Sequence, residues 1–317
     1  MMNFISKTVK AVVFMAFSAL FAPQALGNQV QVVEPETRKK VVLWDLGYVL
    51  LKPNQAKMSG YILPRTCGIN PWNLVRLGML YKYGCLTPKG IQTTMDNVLH
   101  NARPEEPRQT VIVNQHGEPH ANIDCDHSSG TLPDKELFAQ AQESIRKLDA
   151  ADKLKSKFDD LFFKNAAHKY LVEKTLQLRF MAPKLFGESF TPIPQGVDLL
   201  EKCVKSGAEM AILSNWGAES FPYMQAYAPN NVIFKHVKPE NIFASGKIKL
   251  SKPYPQAYEH VIETMKVQPE DCIFIDDQIK NIEAARAVGM HAIHLTDYKN
   301  PEAYKAVETE LQRLGAL

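Results

Sequence analysis

Residues 40–50 read Lys-Val-Val-Leu-Trp-Asp-Leu-Gly-Tyr-Val-Leu, and this stretch sets the expected fold of the 317-residue chain. The run from Val41 to Trp44 is wholly apolar and stops at an acid, Asp45. A short strand that is apolar at every position is typical of a parallel sheet covered by helices on both faces. In open α/β sheets, ligands bind beyond the carboxyl ends of the strands. Asp45 is therefore the first candidate for a functional residue.

Two later strand patterns also end in polar residues. Ser214 and Asn215 follow the pattern at 208–213, and Asp276 and Asp277 follow the pattern at 271–275. Residues 291–295 are predicted to form one more strand. The segments with helical spacing are 197–206, 254–266 and 279–288. Residues 246–250 form a further candidate strand, and Lys252 follows it. Strands that alternate with helices predict a Rossmann-like parallel sheet with helices on both faces.

The polar residues at the strand ends form a set that suits phosphoryl transfer. Asp45, Asp276 and Asp277 would repel one another unless a cation lies between them, and hard oxygen ligands suit Mg²⁺. A carboxylate beside Mg²⁺ and a lysine stays ionised and can act as a nucleophile. Together with Mg²⁺ and backbone N–H groups, Lys252 and the Ser214 hydroxyl would then hold the oxygens of a phosphoryl group.

Four segments resemble, in order and in type, the four motifs of the haloacid dehalogenase (HAD) superfamily. They are Asp45-Leu-Gly-Tyr-Val-Leu50, Ile212-Leu-Ser-Asn215, Lys252-Pro253 and Ile273-Phe-Ile-Asp-Asp277. The resemblance covers about residues 35–60 and 190–300. It implies a Rossmann-like sheet with a helical cap of the first cap class, and residues 83–91 are similar to a turn that is frequent in such caps.

The resemblance implies a role for each matched residue. Asp45 would attack phosphorus and form an aspartyl phosphate, which Lys252 would stabilise. Ser214 and the Asn215 backbone would bind the phosphoryl oxygens. The expected Mg²⁺ ligands are Asp45, the backbone carbonyl of Gly47, Asp276 and Asp277.

Gly47 departs from the pattern of many HAD phosphatases, which carry a second Asp there to protonate the leaving group and then activate water. Gly47 offers no proton, and general acid–base help is worth roughly 10²–10⁴ in rate. The chain resembles a branch that reads Asp-Leu-Gly-Asn-Val, similar to sugar-phosphate phosphatases, with Tyr48 in place of the Asn. A substrate with a good leaving group, or an acid from the cap, would compensate.

Three functions stay open on this evidence. The first is an Mg²⁺-dependent phosphatase that acts on a small phosphorylated metabolite. The second is a haloacid dehalogenase, which uses the same nucleophile on carbon without a metal; Asp276 and Asp277 argue against it, because without a cation they would repel a carboxylate substrate. The third is a catalytically weakened HAD-fold binding module whose enlarged cap binds a partner.

The first 27 residues have the parts of a secretory signal peptide. Lys7 and Lys10 precede an apolar run at 11–22, and Ala25-Leu-Gly27 places small residues at a cleavage site. The run is shorter than the ~20 residues that span a bilayer as a helix. We therefore expect an exported protein, periplasmic or secreted, with no stable membrane span after cleavage.

The rest of the chain is predicted to form a core and an insertion. The HAD-like core comprises residues 28–56 and 187–317. The helical cap comprises residues 57–186, with an irregular stretch at 101–134 that is rich in Pro and Gly.

Composition narrows the class of partner. Hydrophobic residues make up 45% and charged residues 22%, which is typical of a globular protein. A net charge of +3 is too small for a protein that binds nucleic acid by neutralising phosphates. The expected partner is a small phosphorylated substrate, and the oligomeric state stays open.

The cysteines fall into two groups. Cys203 and Cys272 lie in a helix and a strand pattern and are expected to be buried free thiols. An oxidising compartment would permit one disulfide among Cys67, Cys85 and Cys125, but the sequence does not choose the pair.

Other residues have simpler interpretations. Trp216 fits a substrate pocket and ordinary packing equally well. Gly and Pro between His116 and His120 break the helix that would align two imidazole ligands, so a solvated loop is expected for the group His116, His120, Asp124, Asp126 and His127. Acidic residues interrupt the lysines, which favours an ordinary wet surface for Lys153, Lys155, Lys157 and Lys164.

Overall fold

The computed structural model describes residues 39–54, 56–58, 134–150 and 166–317. The predicted signal peptide, residues 101–133 of the irregular stretch and three of the cysteines (Cys67, Cys85 and Cys125) lie outside the described residues. The strands are β1 (Val41–Trp44), β2 (Leu51–Pro53), β3 (Phe190–Pro192), β4 (Glu209–Ser214), β5 (Ile242–Ala244), β6 (Cys272–Asp276) and β7 (His291–His294).

Helices follow most of the strands. The α-helices are α1 (Asp134–Ala150), α2 (Ala166–Met181), α3 (Pro183–Gly187), α4 (Pro194–Lys205), α5 (Phe221–Ala226), α6 (Asn231–Phe234), α7 (Ser245–Ile248), α8 (Pro255–Met265), α9 (Ile279–Ala287) and α10 (Pro301–Arg313). Across the described ranges, we find no helix with the length and hydropathy needed to cross a bilayer.

The apolar run at 41–44 forms the middle strand of a parallel sheet, as predicted. The strand order is β5-β4-β1-β6-β7, and within the described residues this sheet has five strands. In register, Trp44 lies between Ile212 of β4 and Ile275 of β6. All four side chains of β1 are buried, because helices cover both faces. The α/β fold class is therefore confirmed.

Alternate residues of β1 face two different core layers. Val42 and Trp44 pack in the layer that includes buried residues of α4 and α10. Val41 and Leu43 pack in the layer that includes buried residues of α8 and α9. Full burial of one such aliphatic side chain stabilises the fold by roughly 1.5–3 kcal/mol.

Local signals set the ends of several helices. Gly207 and Gly289 follow α4 and α9 with φ of 89° and 91°, a conformation that favours glycine. At the start of α10, the Asn300 side chain accepts a hydrogen bond of 3.0 Å from the N–H of Glu302. The helices predicted at 197–206, 254–266 and 279–288 are confirmed within a few residues.

The strand predicted at 246–250 is wrong. Residues 245–248 form the short helix α7, and Lys249 ends it with φ of 63°. A Cβ on Gly246 would lie 2.3 Å from the Ala218 nitrogen, so only glycine allows this close approach of two backbones. This long-range packing overrides the alternating local pattern, and the edge strand β5 lies just before it.

A small two-stranded sheet joins the parallel sheet to the inserted segment. β2 pairs antiparallel with β3, with Leu51 opposite Pro192. The described parts of the insertion, α1 and α2, are helical and pack against each other. The boundaries predicted at 56 and 187 lie close to this two-stranded sheet and stay predictions.

Both described cysteines are free and fully buried, as predicted. Burial raises the pKa of the Cys203 thiol and of the Cys272 thiol to about 12. Because thiolate is the reactive form, we expect neither thiol to react with iodoacetamide at pH 8 in the native protein. Peptide mass spectrometry should find both modified only after denaturation, and native labelling at the denatured rate would contradict this packing.

Candidate active site

Adjacent strands bring the predicted site residues together at the carboxyl ends of the strands. Asp45 follows β1 directly, Ser214 ends β4, and Asp276 ends β6. The N–H of Asp45 still donates to the Ile275 carbonyl at 2.9 Å, so the ladder between β1 and β6 continues into the site. The strand order thus places Asp45 between the Ser214 hydroxyl on one side and the acid pair that begins at Asp276 on the other.

Lys252 bridges two of the carboxylates. Its Nζ lies 2.8 Å from Oδ1 of Asp45 and 2.6 Å from Oδ2 of Asp276. Asp45, Lys252 and Asp276 are all buried, at 6%, 3% and 0% exposure. Charges this deeply buried need close partners, because water does not solvate them.

Three carboxylates outnumber the one ammonium group. Asp45, Asp276 and Asp277 each offer an oxygen, and these oxygens lie within 4.8 Å of one another. Oδ1 of Asp277 is buried and has no hydrogen-bond partner within the described residues. A set of hard oxygen donors with an unsatisfied buried oxygen fits a divalent cation such as Mg²⁺.

Burial and mutual repulsion change the proton affinity of the acids. Burial raises the pKa of Asp45 to about 6, with Lys252 opposing the rise and Asp276 adding to it. Burial, together with the charges of Asp45 and Asp276, raises the pKa of Asp277 to about 7. For Lys252, burial lowers the pKa, but the carboxylates of Asp276 and Asp45 outweigh it and the net shift is upward. Lys252 therefore stays charged.

Ser214 and Asn215 lie beside the Asp45–Lys252 pair. The Ser214 side chain is 2% exposed and hydrogen-bonds the Asp45 carboxylate. The Asn215 side chain donates from Nδ2 to the Lys252 carbonyl at 2.8 Å, and its Oδ1 accepts from the Lys252 N–H at 2.9 Å. The backbone N–H of Asn215 donates no hydrogen bond to the backbone of any described residue.

Gly47 faces the carboxylate that it follows. Of the described residues outside its immediate neighbours, a Cβ on Gly47 would meet only Asp45, whose Oδ2 lies at 3.9 Å. The next residue, Tyr48, has φ of 57° and its ring lies 5.2 Å from that of Tyr298. The N–H groups of Leu50 and Leu51 donate back to one carbonyl at the start of this turn. The turn therefore leaves space for a side chain at residue 47, beside Asp45.

Sequence reasoning missed two residues that support the acids. Nδ2 of Asn281 lies 3.0 Å from both carboxylate oxygens of Asp276. A ring nitrogen of His294 lies 3.0 Å from the Asp277 carbonyl oxygen. Asn281 was detectable as an amide in the first turn of a helix that follows an acidic strand end, whereas nothing local marks His294.

Trp216 serves packing rather than the pocket. Its ring centroid is 4.7 Å from that of Phe190 and 6.1 Å from that of Phe186, and it is 7% exposed. The histidine and lysine groups considered in the sequence lie outside the described residues, and their interpretations stay predictions.

Comparison with known proteins agrees with this geometry. The haloacid dehalogenase-like hydrolase family model matches residues 95–289, which is more than half of the chain. The chain therefore belongs to the haloacid dehalogenase-like hydrolases. The matched range holds Ser214, Lys252 and the acid pair at 276–277, and begins after Asp45.

The chain is also similar to proteins named as phosphatases. It is 31% identical over 106 residues to the sesquiterpene phosphatase astK of Aspergillus oryzae, covering 33% of this chain and 52% of that one. It is 26% identical over 147 residues to the phosphatase MT3486 of Mycobacterium tuberculosis, covering 46% of this chain and 61% of that one. The chain thus spans about half the length of one relative and three fifths of the other.

The chain is also similar to a solved structure. A HAD family enzyme from Bacteroides thetaiotaomicron, in complex with magnesium and inorganic phosphate, aligns with 82% of this chain and 95% of its own length. The identity is 15% and the TM-score is 0.43.

The raised pKa values predict how pH acts on the protein without a divalent cation. The ordinary pKa of these carboxyls is 3.8, and the folded values for Asp45 and Asp277 are about 6 and about 7. At these two carboxyls the folded state therefore binds protons more tightly than the unfolded state. Their contribution to the free energy of unfolding is fully present below pH 3.8 and is lost as pH rises to about 7.

We expect Mg²⁺ to raise the unfolding temperature more at pH 7.5 than at pH 5.5, because the acids must be ionised to bind it. Thermal unfolding in EDTA and in Mg²⁺ measures this difference. Asp277→Asn should shrink it, whereas Asp198→Asn, on the exposed surface of α4, should leave it unchanged. An equal effect of Mg²⁺ at both pH values would contradict the assignment.

Proposed function

We propose that this HAD-like hydrolase is an Mg²⁺-dependent phosphomonoesterase that works through an aspartyl phosphate on Asp45. One observation carries the proposal: a buried carboxylate at a strand end is held by an ammonium group and a hydroxyl, with two further carboxylates within 4.8 Å. The named phosphatase relatives support the same class of reaction.

The acids would hold the cation, and the other residues would hold the phosphoryl group. Asp45, Asp276, Asp277 and, by resemblance, the Gly47 carbonyl are the proposed Mg²⁺ ligands. When bound, Mg²⁺ supplies positive charge that offsets the negative charge of the phosphate ester. Lys252 keeps the Asp45 carboxylate ionised and positioned, and the Ser214 hydroxyl and the Asn215 N–H bind phosphoryl oxygens.

The reaction proceeds in two displacements at phosphorus. An oxygen of Asp45 forms a bond to phosphorus while the bond from phosphorus to the ester oxygen breaks, and the departing oxygen takes up a proton from solvent. Water then forms a bond to the same phosphorus while the bond from phosphorus to the Asp45 oxygen breaks. This step releases inorganic phosphate, returns Asp45 to its carboxylate form and passes one proton of the water to solvent. Gly47 supplies no proton in the first step, so esters with good leaving groups should react fastest.

The acid pair disfavours a haloacid dehalogenase. Asp276 and Asp277 would repel a carboxylate substrate that approaches Asp45 without a cation. Release of halide from a haloacid in the presence of EDTA would revive that alternative. The binding-module alternative draws on the missing acid at Gly47 and on the enlarged cap, and it predicts no turnover even at high enzyme concentration.

The proposed substrate is a small phosphorylated metabolite. We propose that it meets the enzyme outside the cytoplasm, because residues 1–27 have the pattern of a signal peptide. A screen of phosphorylated metabolites, extended to prenyl phosphates because one relative is named a sesquiterpene phosphatase, tests the first point. Cell fractionation and the N-terminal residue of the mature protein, expected at Asn28, test the second.

Asp45→Asn should lower hydrolysis of p-nitrophenyl phosphate by more than about 10³-fold, because the amide is not a nucleophile. EDTA should suppress the wild-type rate in the same assay. Asp198→Asn makes the same chemical change on the exposed surface of α4 and should retain wild-type activity. Activity that survives Asp45→Asn would rule out the mechanism.

Gly47→Asp should raise the rate with alkyl phosphates more than with p-nitrophenyl phosphate, because only the alkoxide needs a proton to leave. The described part of the chain leaves room for the side chain, since a Cβ there meets only Oδ2 of Asp45 at 3.9 Å. Gly47→Asn adds the same bulk without an acid and is the matched control. The idea fails if Asp gives no gain, or if Asn gives the same gain.

A further inference from the structure

Lys252 lies in a segment that has no regular secondary structure of its own. It follows Lys249, which ends α7 in the left-handed conformation, and precedes α8, which begins at Pro255. Its backbone therefore has no strand neighbour to align it. Its ammonium group nevertheless lies within hydrogen-bond distance of both Asp45 and Asp276.

The Asn215 side chain takes the place of a strand neighbour. Its amide has one carbonyl oxygen and one NH₂ group, and these engage the N–H and the C=O of the same residue, Lys252. We call this pair of hydrogen bonds the Asn215 clamp. Asn215 directly follows β4. The clamp therefore attaches Lys252 to the carboxyl-terminal end of the sheet, where Asp45 also lies.

The residue after Asn215 is also fixed. The N–H of Trp216 donates to Oγ of Ser245 at 2.9 Å, and its carbonyl accepts from the N–H of Gly246 at 3.0 Å. Both partners belong to α7, which lies just before the Lys252 segment. The two segments are therefore joined at Trp216 and again at the clamp, and the backbone N–H of Asn215, which has no backbone partner among residues 39–54, 56–58, 134–150 and 166–317, lies between these two attachments.

We propose that the Asn215 side chain is a positioning residue that orients Lys252 toward Asp45 and Asp276. The backbone N–H of Asn215 binds a phosphoryl oxygen in the proposed mechanism. Asn215 therefore positions Lys252 with its side chain and binds the phosphoryl group with its backbone. A lysine side chain is long and flexible, and a backbone held at both its N–H and its C=O limits where Nζ can reach. The role in turnover rests on the proposed phosphatase function.

Asn215→Ala tests the clamp by kinetics. We expect kcat for p-nitrophenyl phosphate to fall about 10- to 100-fold, with KM changed less than about threefold, because the binding groups stay while Lys252 loses its orientation. In the Lys252→Met background, Asn215→Ala should change kcat by less than about twofold, because the residue that it orients is already gone. The proposal is overturned if the double variant lowers kcat by the product of the two factors measured for the single variants.

Asn241 offers a matched control for the loss of a buried asparagine. Its Nδ2 donates to Glu209 at 3.0 Å and to the Met210 carbonyl at 3.3 Å, at the opposite end of β4. Asn241→Ala should lower the unfolding temperature but leave kcat of the folded enzyme at the wild-type value. If Asn215→Ala has only that effect, the Asn215 side chain is merely structural and the proposal fails.

A crystal structure of the Asn215→Ala variant tests the clamp without turnover. We expect Nζ of Lys252 to move beyond hydrogen-bond distance, about 3.5 Å, from Asp45 or Asp276. A lysine that keeps both contacts would overturn the proposal. If the wild-type protein hydrolyses no phosphate ester, the proposed function fails, and the crystal structure still decides whether Asn215 positions Lys252.

Discussion

The ammonium group of Lys252 between Asp45 and Asp276 is the interaction on which the site depends. Both carboxylates are buried at a point where three strands end, and their repulsion would be severe without a cation. Lys252 compensates for part of that charge, and one oxygen of Asp277 has no hydrogen-bond partner in the part of the chain that the structure describes. The excess of negative charge that remains is the physical reason for expecting a divalent cation here.

The fold supports this charge cluster from several sides. β1 is the middle strand, so Asp45 has a neighbouring strand end on each side. The turn that follows is braced by α10 and α4, because the Tyr304 hydroxyl donates to the Val49 carbonyl at 2.7 Å and Gly196 approaches that carbonyl closely. Asp45, the proposed nucleophile, thus lies beside a braced turn, as a reaction that depends on positioning requires.

The aromatic contacts connect the site to the inserted segment. Trp216, two residues after Ser214, packs against Phe190 at the start of β3 and against Phe186 of α3. β3 pairs with β2, which follows the Asp45 turn. The chain enters the insertion after β2 and returns to the sheet through α3 and β3. Both connections therefore lie next to elements that carry site residues. The described part of the insertion is thus attached beside the proposed site.

The sequence by itself determined four strands of the parallel sheet, β1, β4, β6 and β7, and the polar residues that end three of them, because a buried strand needs a short apolar run and the next polar residue marks where it stops. Asp45, Ser214 and Asp276 were found in this way. Only the tertiary structure decided that 245–248 is helical, that Asn215 holds Lys252 across 37 positions, and that Lys252 reaches Asp45 across 207. Such contacts depend on strand order and on the close approach of distant backbones, and no local pattern of residues contains that information.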